Sequence, residues 1–94
     1  MKIDPYIVDT LMADLIGHDK TPSAFVVYLY LYRRAAGRPR MLRASHQTIA
    51  NDTGLSKSAV QAALRHLNRR KLVRSERASQ TATPQHFVLR PWAR

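Results

Sequence analysis

The stretch IANDTGLSKSAVQAAL, residues 49–64, constrains the fold of this chain more than any other. Ile49, Val60, Ala63 and Leu64 recur at helical spacing on both sides of Asp52-Thr53-Gly54, yet the interruption is very short. Two short helices must therefore meet at a sharp angle. Helices that cross steeply approach closely near the turn, and Ala50 is small enough to allow it. Gly54 can take the left-handed backbone that ends the first helix without a Cβ penalty. Leu55 is placed to plug the corner, Ser56 to restart the chain as an N-cap, and Val60 to pack back toward Ile49.

Charge indicates what such a corner serves. Sixteen basic residues stand against six acidic ones, a net +10 on 94 residues, and the excess is unevenly placed. Residues 1–32 hold Lys2 and Lys20 against Asp4, Asp9, Asp14 and Asp19, which nets −2. Residues 33–94 hold the remaining fourteen basic residues against Asp52 and Glu76, which nets +12. Such asymmetry calls for a polyanionic partner, with nucleic acid first and an anionic membrane surface second.

The length allows one domain, 1–94, with a single modest core. Asp4-Pro5 is a helix start, with Asp4 as N-cap; Ile7, Val8, Leu11, Met12 and Leu15 follow at helical spacing, and Gly17 is expected to end the helix. Thr21-Pro22 repeats the signal, and Gly37 closes a second helix expected over 22–36. It is apolar nearly all round and is read as the central buried helix, with Tyr30 pointing away from Tyr28 and Tyr32. Arg38-Pro39-Arg40 is a loop and Met41-Leu42-Arg43 a short strand. Ser45 caps a third helix over 46–52, and Ser56 a fourth over 57–70. Residues 72–77 and 86–90 alternate as two strands around the loop ASQTATPQ, 78–85. The fold class is mainly α with a small β-hairpin, four helices in all.

The break at Gly54 has the geometry of a helix-turn-helix, whose second helix enters the DNA major groove. The segments TPSAFVVYLYLYRRA, SHQTIANDTGLSKSAVQAALRHL and RRKLV resemble the winged helix-turn-helix domains of bacterial transcription regulators and phage or plasmid replication proteins. The resemblance implies sequence-specific binding of double-stranded DNA, with residues 47–53 as supporting helix and 57–70 as recognition helix. The single domain is then read as an N-terminal helix (1–20), a helical core (21–77) containing the helix-turn-helix 46–70, and a wing hairpin (72–90). Arg70-Lys71 departs from the pattern, since such domains often carry a glycine before the strand.

At about 100° per residue, Val60, Ala63, Leu64, Leu67 and Lys71 share one arc of the fourth helix, while Ser58, Ala62, Arg65 and Arg69 share the opposite one. Gln61 lies at the edge of the outer arc. Residues near the helix start reach deepest into a groove, so Ser56, Lys57, Ser58, Gln61 and Ala62 are candidates for base edges. Arg65 and Arg69 lie further along, toward phosphates, and Arg43, Ser45, Arg74, Arg77 and Gln80 complete the phosphate candidates.

Other chemistries find little support. There is no cysteine, and His18, His46, His66 and His86 lack metal-ligand spacing, so neither a metal nor a cofactor is expected. His46 and His66 are read as surface groups near DNA. No paired carboxylates, activated nucleophile or glycine-rich phosphate loop can be assembled, so the chain is not expected to be an enzyme. No apolar run is long enough to span a bilayer and Asp4-Pro5 breaks any early signal sequence, so the expected location is the cytoplasm, in association with the nucleoid. Use of the same fold on RNA or the ribosome, or as a protein-interaction module, remains the alternative. Ile3, Ile7, Leu11 and Met12 give the first helix more apolar surface than so small a core absorbs, which favours a homodimer through that helix.

Overall fold

The computed structural model describes residues 2–93. Helix α1 covers residues 5–18 and includes two π-wound stretches, Ile7–Leu11 and Asp14–His18. Asp4 starts it: its Oδ1 accepts from the Tyr6 N–H at 3.0 Å and its carbonyl from the Ile7 N–H at 2.9 Å. Gly17 does not end it. The chain continues to His18, and Lys20 takes the left-handed turn at φ 55°. The last carbonyls are met from beyond the glycine, Asp14 by the Asp19 N–H and Leu15 by the Thr21 N–H, each at 2.9 Å.

Helix α2, Pro22–Arg34, is the central element and buries Ala24, Phe25, Val27, Tyr28, Leu31 and Tyr32. It is shorter than expected because Ala35 is already extended, at ψ 146°. The Tyr28 and Tyr32 rings lie 6.4 Å apart, and the Tyr28 hydroxyl donates to the Leu89 carbonyl at 2.8 Å. Tyr30 turns away and donates to Asp52 Oδ2 at 2.6 Å, so the tyrosines form no stacking platform.

Strand β1 is Met41–Arg43, helix α3 is His46–Thr53 and helix α4 is Lys57–Arg69. Ser45 and Ser56 cap the two helices, accepting from the Thr48 and Ala59 N–H groups at 3.1 Å each. Gly54 has φ 81°, the left-handed corner that the sequence requires. Helix α4 ends before Lys71: the Leu72 N–H reaches the Leu67 carbonyl at 3.0 Å and the Lys71 N–H that of Asn68 at 3.1 Å. This double bond pattern needs a left-handed residue, and Lys71 supplies it at φ 58° where a glycine is usual. Lys71 is therefore exposed past the helix end and does not share the apolar arc, whose members Val60, Ala63, Leu64 and Leu67 are all buried.

Strands β2, Val73–Glu76, and β3, Gln85–Val88, are shorter than the alternation suggested. The antiparallel sheet has the order β1-β3-β2, with Leu42 and Ser75 both opposite His86, and Arg43 and Glu76 both opposite Gln85. Opposed residues share a face. Leu42, His86, Ser75, Val73 and Val88 thus lie on one face, and Met41, Arg43, Arg74, Glu76, Gln85 and Phe87 on the other. Val73 and Val88 join the core built on Ile7, Leu15, Tyr28, Leu31, Ile49, Val60 and Leu67.

The surplus apolar surface expected on α1 is taken up within the chain. Ile7 and Leu11 are 0% and 2% exposed, and Ile3 and Met12 pack against the same core. That leaves Val8 and Ile16 exposed on α1, while Tyr6 stacks on Trp92 at 4.4 Å.

Nothing lies within 4 Å of a Cβ built on Gly54, so only its backbone angle penalises a side chain. Gly54→Val is expected to cost about 1–3 kcal/mol through that angle. Gly17, also unobstructed but with no left-handed φ, behaves oppositely: Gly17→Ala is expected to stabilise by about 0.5–1 kcal/mol. Denaturant melts of both variants check the pair, and an unchanged midpoint for Gly54→Val would refute the turn.

Candidate nucleic-acid interface

The outward side of α4 and the strand leading into the wing enclose a groove of about 700 Å³, whose lining includes His46, Gln61, Arg65, Arg69 and Arg77. Near the start of α4 a smaller hollow of about 350 Å³ brings Ser45, Lys57 and Gln61 together with Arg77 and Gln80. Seven of the twelve candidates from the sequence thus line one continuous feature, because Gln61 and Arg77 border both hollows. The Arg77 guanidinium donates to the Gln80 carbonyl at 3.1 Å and so holds the wing loop beside the helix.

The remaining candidates are placed differently. Ser58 and Ala62 are exposed on the outer arc of α4, and Ser56 uses its hydroxyl oxygen as the helix cap. Arg43 borders a separate hollow with Glu76 and Arg77. Arg74 lies on the far face of the sheet, paired with Glu76 and 4.3 Å over the Phe87 ring, because strand alternation turns residue 74 opposite to residue 75. It does not line the groove.

Below the groove runs a polar network that the sequence did not reveal. His86 is wholly buried, and its Nε2 lies 3.1 Å from the Ala44 carbonyl. A carbonyl can only accept, so Nε2 carries the proton and Nδ1 accepts from the Ser75 hydroxyl at 2.8 Å. Asn68 on α4 closes the network: its Oδ1 accepts from the Ser75 N–H at 2.9 Å, while its Nδ2 donates to the Leu64 carbonyl at 2.7 Å. Burial holds the His86 imidazole below the usual histidine range. His46, 6.4 Å from His86 and 3.4 Å from the Gln61 amide nitrogen, is lowered too, first by burial and then by the charges of Arg77 and Lys57.

At the other end of α4, Asp19 is a hub with only 6% of its side chain exposed. It accepts from His66 Nε2 at 2.7 Å, from Arg70 at 2.7 and 2.9 Å, and from His18 Nδ1 at 2.8 Å. Arg70 also pairs with Asp14. His66 is accordingly half-buried and tied to Asp19, not a free surface group, with Arg69 donating to its Nδ1 at 3.3 Å. Spacing alone hid this meeting, since 47 residues separate Asp19 from His66. Asp14, His18 and Asp19 come close enough to suggest cation ligands, but both carboxylates already carry Arg70.

A sequence profile of helix-turn-helix domains matches residues 18–73, more than half of the chain. The chain belongs to this helix-turn-helix domain family. The match covers α2, β1, α3 and α4 and stops at the first residue of β2. The three-stranded sheet, which joins β1 inside the match to β2 and β3 at and past its end, is consistent with the winged form of the helix-turn-helix. No curated protein and no solved structure matches the chain. No helix among the described residues is long and apolar enough to cross a membrane.

The buried imidazole gives the domain a pH dependence with a definite sign. Folded His86 binds a proton less readily than an unfolded histidine, so the unfolded chain gains protons first as the pH falls. Stability contributed by neutral His86 is complete above the ordinary value of 6.5 and is lost below it, down toward the lowered folded value. His46 acts in the same direction, whereas His18, raised by Asp19, opposes it. Thermal melts from neutral pH to about pH 5 are expected to show a falling Tm. His86→Gln should start lower and fall less steeply; an equal slope in both proteins would show that His86 is not the group responsible.

Proposed function

We propose that this chain binds double-stranded DNA sequence-specifically, in transcription or replication control of a bacterial, phage or plasmid kind. The observation that carries this is the groove beside α4, where Arg65, Arg69 and Arg77 converge with Gln61 while Glu76 is the only acidic residue lining it. A helix flanked by phosphate-seeking arginines, with a carboxamide between them, suits a major groove bounded by two backbones. Lys57, Ser58, Gln61 and Ala62 then face base edges, and Arg65, Arg69, Arg77, Ser45 and Gln80 face phosphates. Arg43 contributes from the neighbouring hollow. Arg74 is left out, because Glu76 and Phe87 occupy its guanidinium. Binding occurs in the cytoplasm on nucleoid DNA, with no catalytic step.

A homodimer through α1 would rest on Val8 and Ile16 alone, the large apolar side chains that helix leaves bare apart from Tyr6. Selection of bound sites from random duplexes, combined with sedimentation, tests specificity and assembly together. A palindromic site with half-sites about 34 Å apart means two copies, and a single short site means one. Preference for structured RNA over any duplex would overturn the DNA assignment.

Gln61 and Arg69 separate base reading from phosphate anchoring. Gln61→Ala is expected to lose roughly 1–3 kcal/mol on the selected site and to relax discrimination at one base pair. Its affinity for random duplex should hardly change. Arg69→Ala is expected to weaken all sequences alike and to flatten the slope of log K against log salt by about one unit. Salt titrations on selected and scrambled duplexes check both, and the reverse pattern would mean that α4 docks in another orientation.

A further inference from the structure

A second cluster of arginines lies away from the groove. Arg38, Arg40 and Arg90 line a hollow of about 470 Å³ together with Gly37, Pro39 and Val88. Its position follows from the strand register. Strand β1 runs from Met41 opposite Phe87 to Arg43 opposite Gln85, and Gln85 adjoins the wing loop. Arg40 therefore sits at the end of the sheet remote from the wing, where its carbonyl meets the Val88 N–H at 3.0 Å. Lys57 and Gln61, at the start of α4, line the wing hollow instead.

Arg40 is held ready for an anion. Its Nη1 donates to the Tyr32 carbonyl at 3.1 Å and its guanidinium lies 4.5 Å over the Tyr32 ring, and its other N–H groups meet no acceptor among the described residues. Preorganisation of this kind reduces the entropy lost on binding. Arg90 has Asp4 at 3.4 Å, but that carboxylate also accepts from the Trp92 indole at 3.0 Å and the Tyr6 N–H. Arg38 makes no ion pair among the described residues, and all three arginines are exposed.

We propose that Arg38, Arg40 and Arg90 form a second phosphate-binding surface that takes the backbone of another duplex segment, so that one domain bridges two stretches of DNA. The bridging rests on the DNA reading of the α4 groove; the surface itself does not. None of the exposed large apolar side chains, Tyr6, Val8, Ile16 and Val26, lines the hollow, as a protein interface would require. No aromatic face is open there for a base, because Tyr32 is covered by Arg40. Phosphate is the chemistry that remains.

The test uses immobilised duplex bearing the selected site, loaded with protein and then offered a labelled duplex of unrelated sequence. Wild-type protein is expected to capture the second duplex at low salt. Arg38→Glu with Arg40→Gln should lose that capture while binding the first duplex normally. The slope of log K against log salt for the second duplex should fall by about two units, one for each lost contact. Arg38→Glu alone, on an exposed loop, guards against damage at Tyr32 and should lose part of the capture. In a separate arm, protein carrying Arg65→Ala and Arg69→Ala should keep weak, unselective duplex binding that adding Arg38→Glu removes. That arm reads the surface even if α4 proves not to bind DNA. Equal capture by wild type and both variants, no capture by wild type, or capture of poly-glutamate in preference to duplex would each overturn the proposal.

Discussion

Both ring nitrogens of His86 are engaged inside the protein, and the placement of the wing against α4 depends on them. The imidazole joins β3 to the carbonyl before α3, and through Ser75 and Asn68 it joins β2 to the body of α4. Breaking one link strands a buried polar group, which costs about 1–3 kcal/mol with no water to replace the lost partner. The wing cannot slide along α4 without breaking several links at once. A groove of fixed width follows, in which Arg65 and Arg69 on the helix are held opposite Arg77 at the base of the wing.

Electrostatics are divided in a complementary way. Three of the four acidic residues of the first third are spent on internal contacts: Asp14 and Asp19 on Arg70 and His66, and Asp4 on Trp92 and Arg90. A carboxylate as covered as that of Asp19, with 6% of its side chain exposed, is stabilised only when its oxygens are met by donors, and here His18, His66 and Arg70 all meet it. These pairings fasten α1 and its following loop to the C-terminal end of α4. They also leave Glu76 as the one acid among the described residues that line the groove with Arg65, Arg69 and Arg77, so the unbalanced charge read from the sequence becomes a directed surface field.

Much of the local structure was legible because its causes are local. Ser45 and Ser56 cap α3 and α4 through N–H groups three residues away, and Gly54 turns left-handed because the corner demands it. The buried arc of α4 follows from helical spacing, and the outward Tyr30 follows from the same arithmetic on α2. The outward placing of Gln61, Arg65 and Arg69 was legible for that reason, since it needed only the pitch of α4. Misreadings arose where a rule allowed two outcomes. Gly17 marks a helix end only if nothing beyond it caps the carbonyls, and Asp19 and Thr21 do so. Lys71 would share the apolar arc only if the helix ran on, and its left-handed backbone at φ 58° stops the helix first.

The sequence by itself determined the order of helices and strands, the helix-turn-helix corner, and the basic character of everything after residue 32. Caps, turns and apolar period act over a few residues, so they are written in neighbouring letters. Only the tertiary structure decided which charges face the groove and which are neutralised. Asp19 meets His66 across 47 residues, and His86 meets Ala44 across 42. Strand register sends Arg74 to the far face of the sheet, where it pairs with Glu76, while Arg77 borders the groove. It was also packing into the common core that absorbed Ile7 and Leu11, and with them most of the surface expected to pair two copies. A side chain's partner across the core depends on how whole elements pack, and no local pattern of residues encodes that distance.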